Sequence, residues 1–145
     1  MATRTARTAW NGTLDTGGGQ VELTSSKAGT FDVSFPKRTA DEADGTTSPE
    51  ELIAAAHSSC YAMQFSAMLA QAGGTPESLE VTAEVTLGPD NPGLRISSIK
   101  LTVRGEVSGI DAAGFQQAAQ AAKETCPVSK ALTGTTITLD ASLDS

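Results

Sequence analysis

Two cysteines, Cys60 and Cys126, and a single histidine, His57, are the side chains of this sequence best suited to nucleophilic, redox or metal chemistry. The three lack the paired C-x-x-C spacing of a zinc site, so metal binding is poorly served. The opening residues "MATRTARTAW" have neither the apolar stretch nor the cleavage site of a secretory signal. A cytoplasmic setting is therefore expected, and a permanent structural disulfide is uncommon there. Free thiols and redox chemistry remain.

Cys60 falls within "SPEELIAAAHSSCYAM", residues 48–63. Ser48 is a suitable N-cap, Pro49 suits the first helical position, and Glu50 and Glu51 lie where the helix dipole favours acids. A helix is predicted from about Pro49 to Gln71, stopped by "AGGTP". Ile53, Ala56, Cys60, Met63 and Ala67 recur at spacings of three and four, which predicts one buried face containing Cys60. A buried cysteine on such a face ordinarily behaves as a small hydrophobe. In mid-helix it also gains nothing from a helix N-terminus, so a reactive Cys60 needs a nearby cation. His57, one turn earlier, reads either as a base for Cys60 or as a packed or interface histidine. The richness in Ala and Ser allows close approach of a second helix, or reflects no more than alanine's helix propensity.

Cys126 reads differently. In "ETCPVSKAL", Pro127 suits the first position of a short helix, which makes Cys126 its N-cap, where the dipole favours a thiolate. "CPVS" also has the C-x-x-S form of a monothiol redox site. A thioredoxin-like motif should follow a strand, however, and this one follows a helix. The residues alone leave open which thiol is the nucleophile.

The elements that would position these thiols fall into two halves of similar order. "TARTAWNGTL", "VELTSS" and "TFDVSF" alternate as strands, with Gly17–Gly19 as a turn. "PKRTADEADGTT" reads as a polar loop before the Cys60 helix. The second half begins with "SLEVTAEVTLG", turns at "PDNPG", and returns through "LRISSIKLTVRGEV". Alternation breaks between Ile96 and Ile99, which predicts a bulge or bend. A helix follows with Asp111 as N-cap, then the Cys126 turn, then a closing strand "TTITLDASL". The expected class is α+β, a single domain over 1–145, with helices packed on antiparallel sheet.

Charge excludes some functions. Asp and Glu outnumber Lys and Arg by 17 to 10, the reverse of a phosphate-binding surface, so no nucleic-acid partner is expected. No apolar run approaches the ~20 residues needed to span a bilayer, so no membrane role is expected.

The two motifs together, in this order, resemble the OsmC/Ohr family of thiol-dependent hydroperoxide peroxidases. "AAAH" before Cys60 and "CPVSKAL" near the C-terminus lean towards the OsmC (osmotically inducible protein C) branch. The resemblance extends over nearly the whole chain, including Trp10-Asn11-Gly12 and "ITLDASL". It implies an intertwined homodimer whose antiparallel sheets wrap two central helices. It implies that Cys60 is peroxidatic, that Cys126 is resolving, and that Arg38 and Glu50 act with Cys60. Arg38 would supply the cation that a mid-helix thiol lacks, and Glu50 would orient it. The implied substrate is an organic hydroperoxide, with hydrogen peroxide reduced less efficiently. The reductant would be a small dithiol or a lipoylated protein, with no bound cofactor and no metal.

Glu50 and Cys60 are ten residues apart, roughly 15 Å of rise on one continuous helix. Either that helix breaks, or Glu50 serves Cys60 of a second chain. Two other functions compete with the peroxidase: a thiol transferase centred on Cys126, and a non-catalytic dimer that holds an apolar ligand.

Overall fold

The computed structural model describes residues 1–144. Contacts within the chain fall into two compact units, Met1–Leu52 and the chain from Ile53 onward. The first holds strands β1 (Arg7–Asn11), β2 (Gly18–Glu22) and β3 (Thr30–Val33) and a short helix α1 (Phe35–Arg38). β2 pairs antiparallel with both neighbours. Gly18 and Gly19 belong to β2 rather than to a turn: Gly19 lies opposite Trp10, where an added Cβ would collide with the Ala9 carbonyl. The segment before the long helix is not all loop. Ser34 caps α1 by accepting from the Lys37 amide, and proline in the first turn fixes a helical φ, so Arg38 ends a helical turn.

Helix α2 (Pro49–Gln71) has the predicted bounds. The Glu51 amide donates to Ser48 Oγ at 3.1 Å at its start. Its end is closed by Gly73, at φ +89°, with the Gly74 amide donating to the Leu69 carbonyl at 2.9 Å.

From Ile53 onward, the remainder of α2 is accompanied by β4 (Thr75–Pro89), β5 (Leu94–Ser108), α3 (Ala112–Thr125), α4 (Pro127–Ala131) and β6 (Thr136–Asp144). β4 and β5 form an antiparallel hairpin, with a register shift opposite Ser97 where the broken alternation predicts one. β6 departs from the expected antiparallel sheet. It lies parallel to β5, because α3 and α4 form a crossover that returns the chain to the same end of the sheet. Asp111 caps α3 by accepting from the Gly114 amide. Gly105 on β5 lets Phe115 of α3 lie against the strand, since a Cβ there would stand 3.0 Å from both Phe115 and Leu79.

The core joins Tyr61, Phe65 and Leu69 of α2 to Ile99, Leu101 and Val103 of β5 and to Phe115, Ala119 and Ala122 of α3. Burying one large apolar side chain contributes about 1.5–3 kcal/mol, so these aromatic and branched residues dominate the packing. The buried stripe of α2 is therefore His57, Tyr61, Phe65 and Leu69, not the predicted face. Met63 is 74% exposed, and Cys60 lies half-buried at the edge of the stripe. Alanines and serines on the other faces carry no charge, so apolar periodicity alone points the helix wrongly; side-chain size decides.

Candidate active site

The structure brings the two cysteines together. Both are free thiols, with Sγ atoms 3.2 Å apart although 66 residues separate them. Cys60 reaches this point from the edge of the α2 stripe. Cys126 reaches it as the residue between α3 and α4, closing α3 through its own amide and opening α4 as N-cap.

Their surroundings differ. Burial pushes the Cys60 thiol up, the Val128 amide pulls it down, and the adjacent Cys126 adds to the rise. Burial also pushes on Cys126, but the Ser129 amide, the Cys60 thiol, the Ser129 hydroxyl and the Val128 amide together outweigh it, so its pKa falls. The free amides of the first turn of α4 thus favour Cys126 as the thiolate of the pair. Cys126 has no exposed surface, whereas Cys60 is partly exposed.

His57 is engaged by Ser129 and hydrogen-bonds neither sulfur. It is fully buried, and its Nε2 lies 2.7 Å from Ser129 Oγ. Its Nδ1 has no partner among the described residues. Ser129 is a site residue that sequence reasoning misses; the C-x-x-S spacing contains it, but nothing local reveals a partner 72 residues away. Tyr61, the next residue of the stripe, donates from its hydroxyl to the Ala119 carbonyl at 2.8 Å.

Burial lowers the His57 pKa from the ordinary 6.5. The folded chain therefore holds fewer protons than the unfolded chain near that pH, and stability rises with pH through this window. The contribution of His57 is fully present above about pH 6.5 and is lost as pH falls towards its folded pKa. Thermal melts between about pH 7.5 and 5.5 are expected to fall more steeply for wild type than for His57→Gln. Parallel slopes would contradict a buried neutral imidazole.

In the first unit, Arg38 and Glu50 meet directly. Arg38 Nε lies 2.8 Å from Glu50 Oε1 and Nη2 lies 2.9 Å from Oε2, a two-pronged ion pair. Glu50 is 7% exposed, and its hydrogen bonds hold the guanidinium above its ordinary pKa. The fork faces Glu50 with Nε and Nη2, so Nη1 is left to donate elsewhere. α2 runs unbroken from Pro49 to Gln71, so Glu50 and Cys60 stand ten positions apart on one continuous helix, roughly 15 Å of rise.

A model of the OsmC-like protein family matches residues 41–140. The chain is 41% identical over 136 residues to peroxiredoxin OsmC of Escherichia coli strain K12, and equally to that of Shigella flexneri, covering 94% of this chain and 93% of each relative. Among solved structures it is similar to the organic hydroperoxide resistance protein OhrB of Bacillus subtilis, with a TM-score of 0.73 and 26% identity over 95% of this chain and 98% of that one. An organic hydroperoxide resistance protein from Elizabethkingia anophelis gives a TM-score of 0.79 and 25% identity over 99% and 98%.

Proposed function

The chain belongs to the OsmC-like protein family, and from that membership and its thiol pair we propose a thiol-dependent peroxidase that reduces organic hydroperoxides and, less efficiently, hydrogen peroxide. The observation that carries the reading is the 3.2 Å approach of two free sulfurs, one on a partly exposed residue and the other on a fully buried one. The partly exposed thiol is the one open to peroxide, and the buried one has Cys60 as its only sulfur neighbour.

The cycle has three steps. The Cys60 thiolate attacks the peroxide, the O–O bond breaks, and Cys60 sulfenic acid and an alcohol form. Cys126 then displaces the sulfenic oxygen to give a Cys60–Cys126 disulfide and water. A dithiol, small or carried on a lipoylated protein, attacks at the Cys60 sulfur and releases Cys126, whose thiolate the α4 amides stabilise; its second thiol then displaces Cys60 from the mixed disulfide, so the dithiol leaves oxidised and both cysteines are thiols again. No bound cofactor enters.

The first step needs a cation, since burial and the adjacent Cys126 together raise the Cys60 pKa. We assign that role to Arg38, held by Glu50, acting on Cys60 of the partner subunit in a homodimer. The unbroken α2 supports action across subunits. The homodimer reading is further supported by the exposed face of α2, where Ala55, Ala56, Ser59, Met63 and Ala67 carry no charge, and by the exposed Trp10 and Phe31 of the first sheet. In this reading the two units are parts of one domain, since the family match spans their boundary. Thiols that must be re-reduced suit the cytoplasm. A transferase centred on Cys126 would require an outside molecule to reach a sulfur with no exposed surface.

Consumption of an organic hydroperoxide with a dithiol tests this. Wild type is expected to turn over. Cys126→Ser is expected to consume about one equivalent of peroxide per chain and then recycle poorly, with sulfenic acid accumulating on Cys60. A wild-type protein that consumes no peroxide would refute the reading.

A further inference from the structure

We infer that His57 and Ser129 are positioning residues for disulfide formation: their buried hydrogen bond sets the register of α4 on α2 that brings Cys126 to Cys60. The inference rests on the peroxidase reading above. It comes from two contacts between the same pair of elements. Cys60 follows His57 by three residues on α2, and Ser129 follows Cys126 by three residues on the first turn of α4. The sulfurs meet at 3.2 Å and, one turn away, the imidazole meets the hydroxyl at 2.7 Å. The order reverses between the elements, so α4 crosses α2 in the antiparallel sense with two matched rungs, one reactive and one inert.

α4 has five residues, too few to hold a helix unaided, so contacts with its neighbours must fix it. Among the described residues, the His57–Ser129 bond is the side-chain hydrogen bond that ties α4 to α2. A buried neutral pair adds little net stability over an apolar pair of similar shape. Its directionality is what an apolar pair would lack. The proton inventory agrees. An orphaned buried N–H is rarer than an orphaned acceptor, so the unpartnered Nδ1 favours the tautomer with the proton on Nε2. His57 then donates to Ser129 Oγ, and the hydroxyl proton of Ser129 is free to turn towards Cys126, three residues back. After burial, the Ser129 amide and the Cys60 thiol, that hydroxyl is a further influence on the Cys126 sulfur.

The step served is the second of the cycle. The Cys126 thiolate attacks the Cys60 sulfenic sulfur, an S–S bond forms, and the S–O bond breaks. Cys126 sulfur is oxidised, Cys60 sulfur is reduced, and the departing hydroxide takes a proton to become water. Attack requires an aligned approach, and a displacement of about 1 Å costs on the order of a hundredfold in rate.

Two variants test this after a single equivalent of organic hydroperoxide, with sulfenic acid trapped by a dione probe and the disulfide followed by mass. Ser129→Ala and the double variant His57→Leu/Ser129→Ala are both expected to form Cys60 sulfenic acid at the wild-type rate. Both are expected to close the disulfide about ten- to a hundredfold more slowly. The double variant replaces both polar partners with apolar ones, so its melting temperature should approach that of wild type more closely than the single variant does. Disulfide closure at the wild-type rate in a folded double variant would overturn the inference. So would a double variant that fails to fold, because the pair would then be there for stability. Failure of the peroxidase reading looks different: wild type itself would form no sulfenic acid.

Discussion

Serine in place of Cys60 is expected to reduce peroxide turnover to the uncatalysed background. The loss should be at least about a thousandfold, and losing a nucleophile can cost up to ~10⁶. A hydroxyl is not an appreciable nucleophile at neutral pH and cannot take up the peroxide oxygen as a sulfenic acid does. Cys126 cannot substitute. Its environment favours the thiolate, but its sulfur has no exposed surface and faces residue 60. Cys60 is half-buried at the edge of the core, and serine has nearly the same shape, so the melting temperature should change by only a few degrees. Peroxide consumption, melting temperature and intact mass measured on one preparation separate chemistry from folding. A folded Cys60→Ser protein that keeps a tenth of the activity would return Cys60 to the role of a small core residue.

The second large effect is expected at Arg38. Arg38→Met keeps much of the aliphatic length and removes the guanidinium. Oxidation of Cys60 should slow by about 10²–10³, the scale for removing one donor aimed at developing negative charge. Arg38→Lys should recover little, because an ammonium cannot reproduce the fork that Glu50 accepts at 2.8 and 2.9 Å. Glu50→Gln leaves one neutral acceptor and weakens the orientation, so a smaller loss, about tenfold, is expected. Arg38→Met also leaves a buried carboxylate unpaired, so a drop in melting temperature should accompany the kinetic loss. Stopped-flow oxidation at several peroxide concentrations separates rate from binding. Wild-type oxidation kinetics in Arg38→Met would remove Arg38 from the chemistry.

Much of this architecture is legible in the sequence because it is local. Ser48, Asp111 and Pro127 mark helix starts through chemistry confined to a single turn, and Gly73 marks an end in the same way. Ile96 and Ile99 disclose a bulge because alternation is counted along one strand. What is not legible depends on distant partners. The buried face of α2 is chosen by contact with β5 and α3, which favour Tyr61, Phe65 and Leu69 over equally uncharged alanines. The direction of β6 is decided by where the crossover delivers it, not by its own alternation. His57 and Ser129 each look ordinary in sequence, and their pairing emerges only when α4 docks. The assignment of Cys60 and Cys126 to different steps comes from family resemblance; local chemistry alone favours Cys126 as the more acidic thiol.

The 66 residues between the thiols also bear on how firmly the chain is held. A covalent link across a loop of that length removes disorder from the unfolded chain worth about 4 kcal/mol in chain-entropy terms, a large share of the ~5–15 kcal/mol that holds a typical domain. Each turnover would therefore alternate the molecule between a stapled and an unstapled state. Under a peroxide load that outruns the supply of dithiol, the protein would accumulate as its toughest form, waiting and inactive. Recovery of the dithiol would then restore reactivity at the expense of part of that robustness.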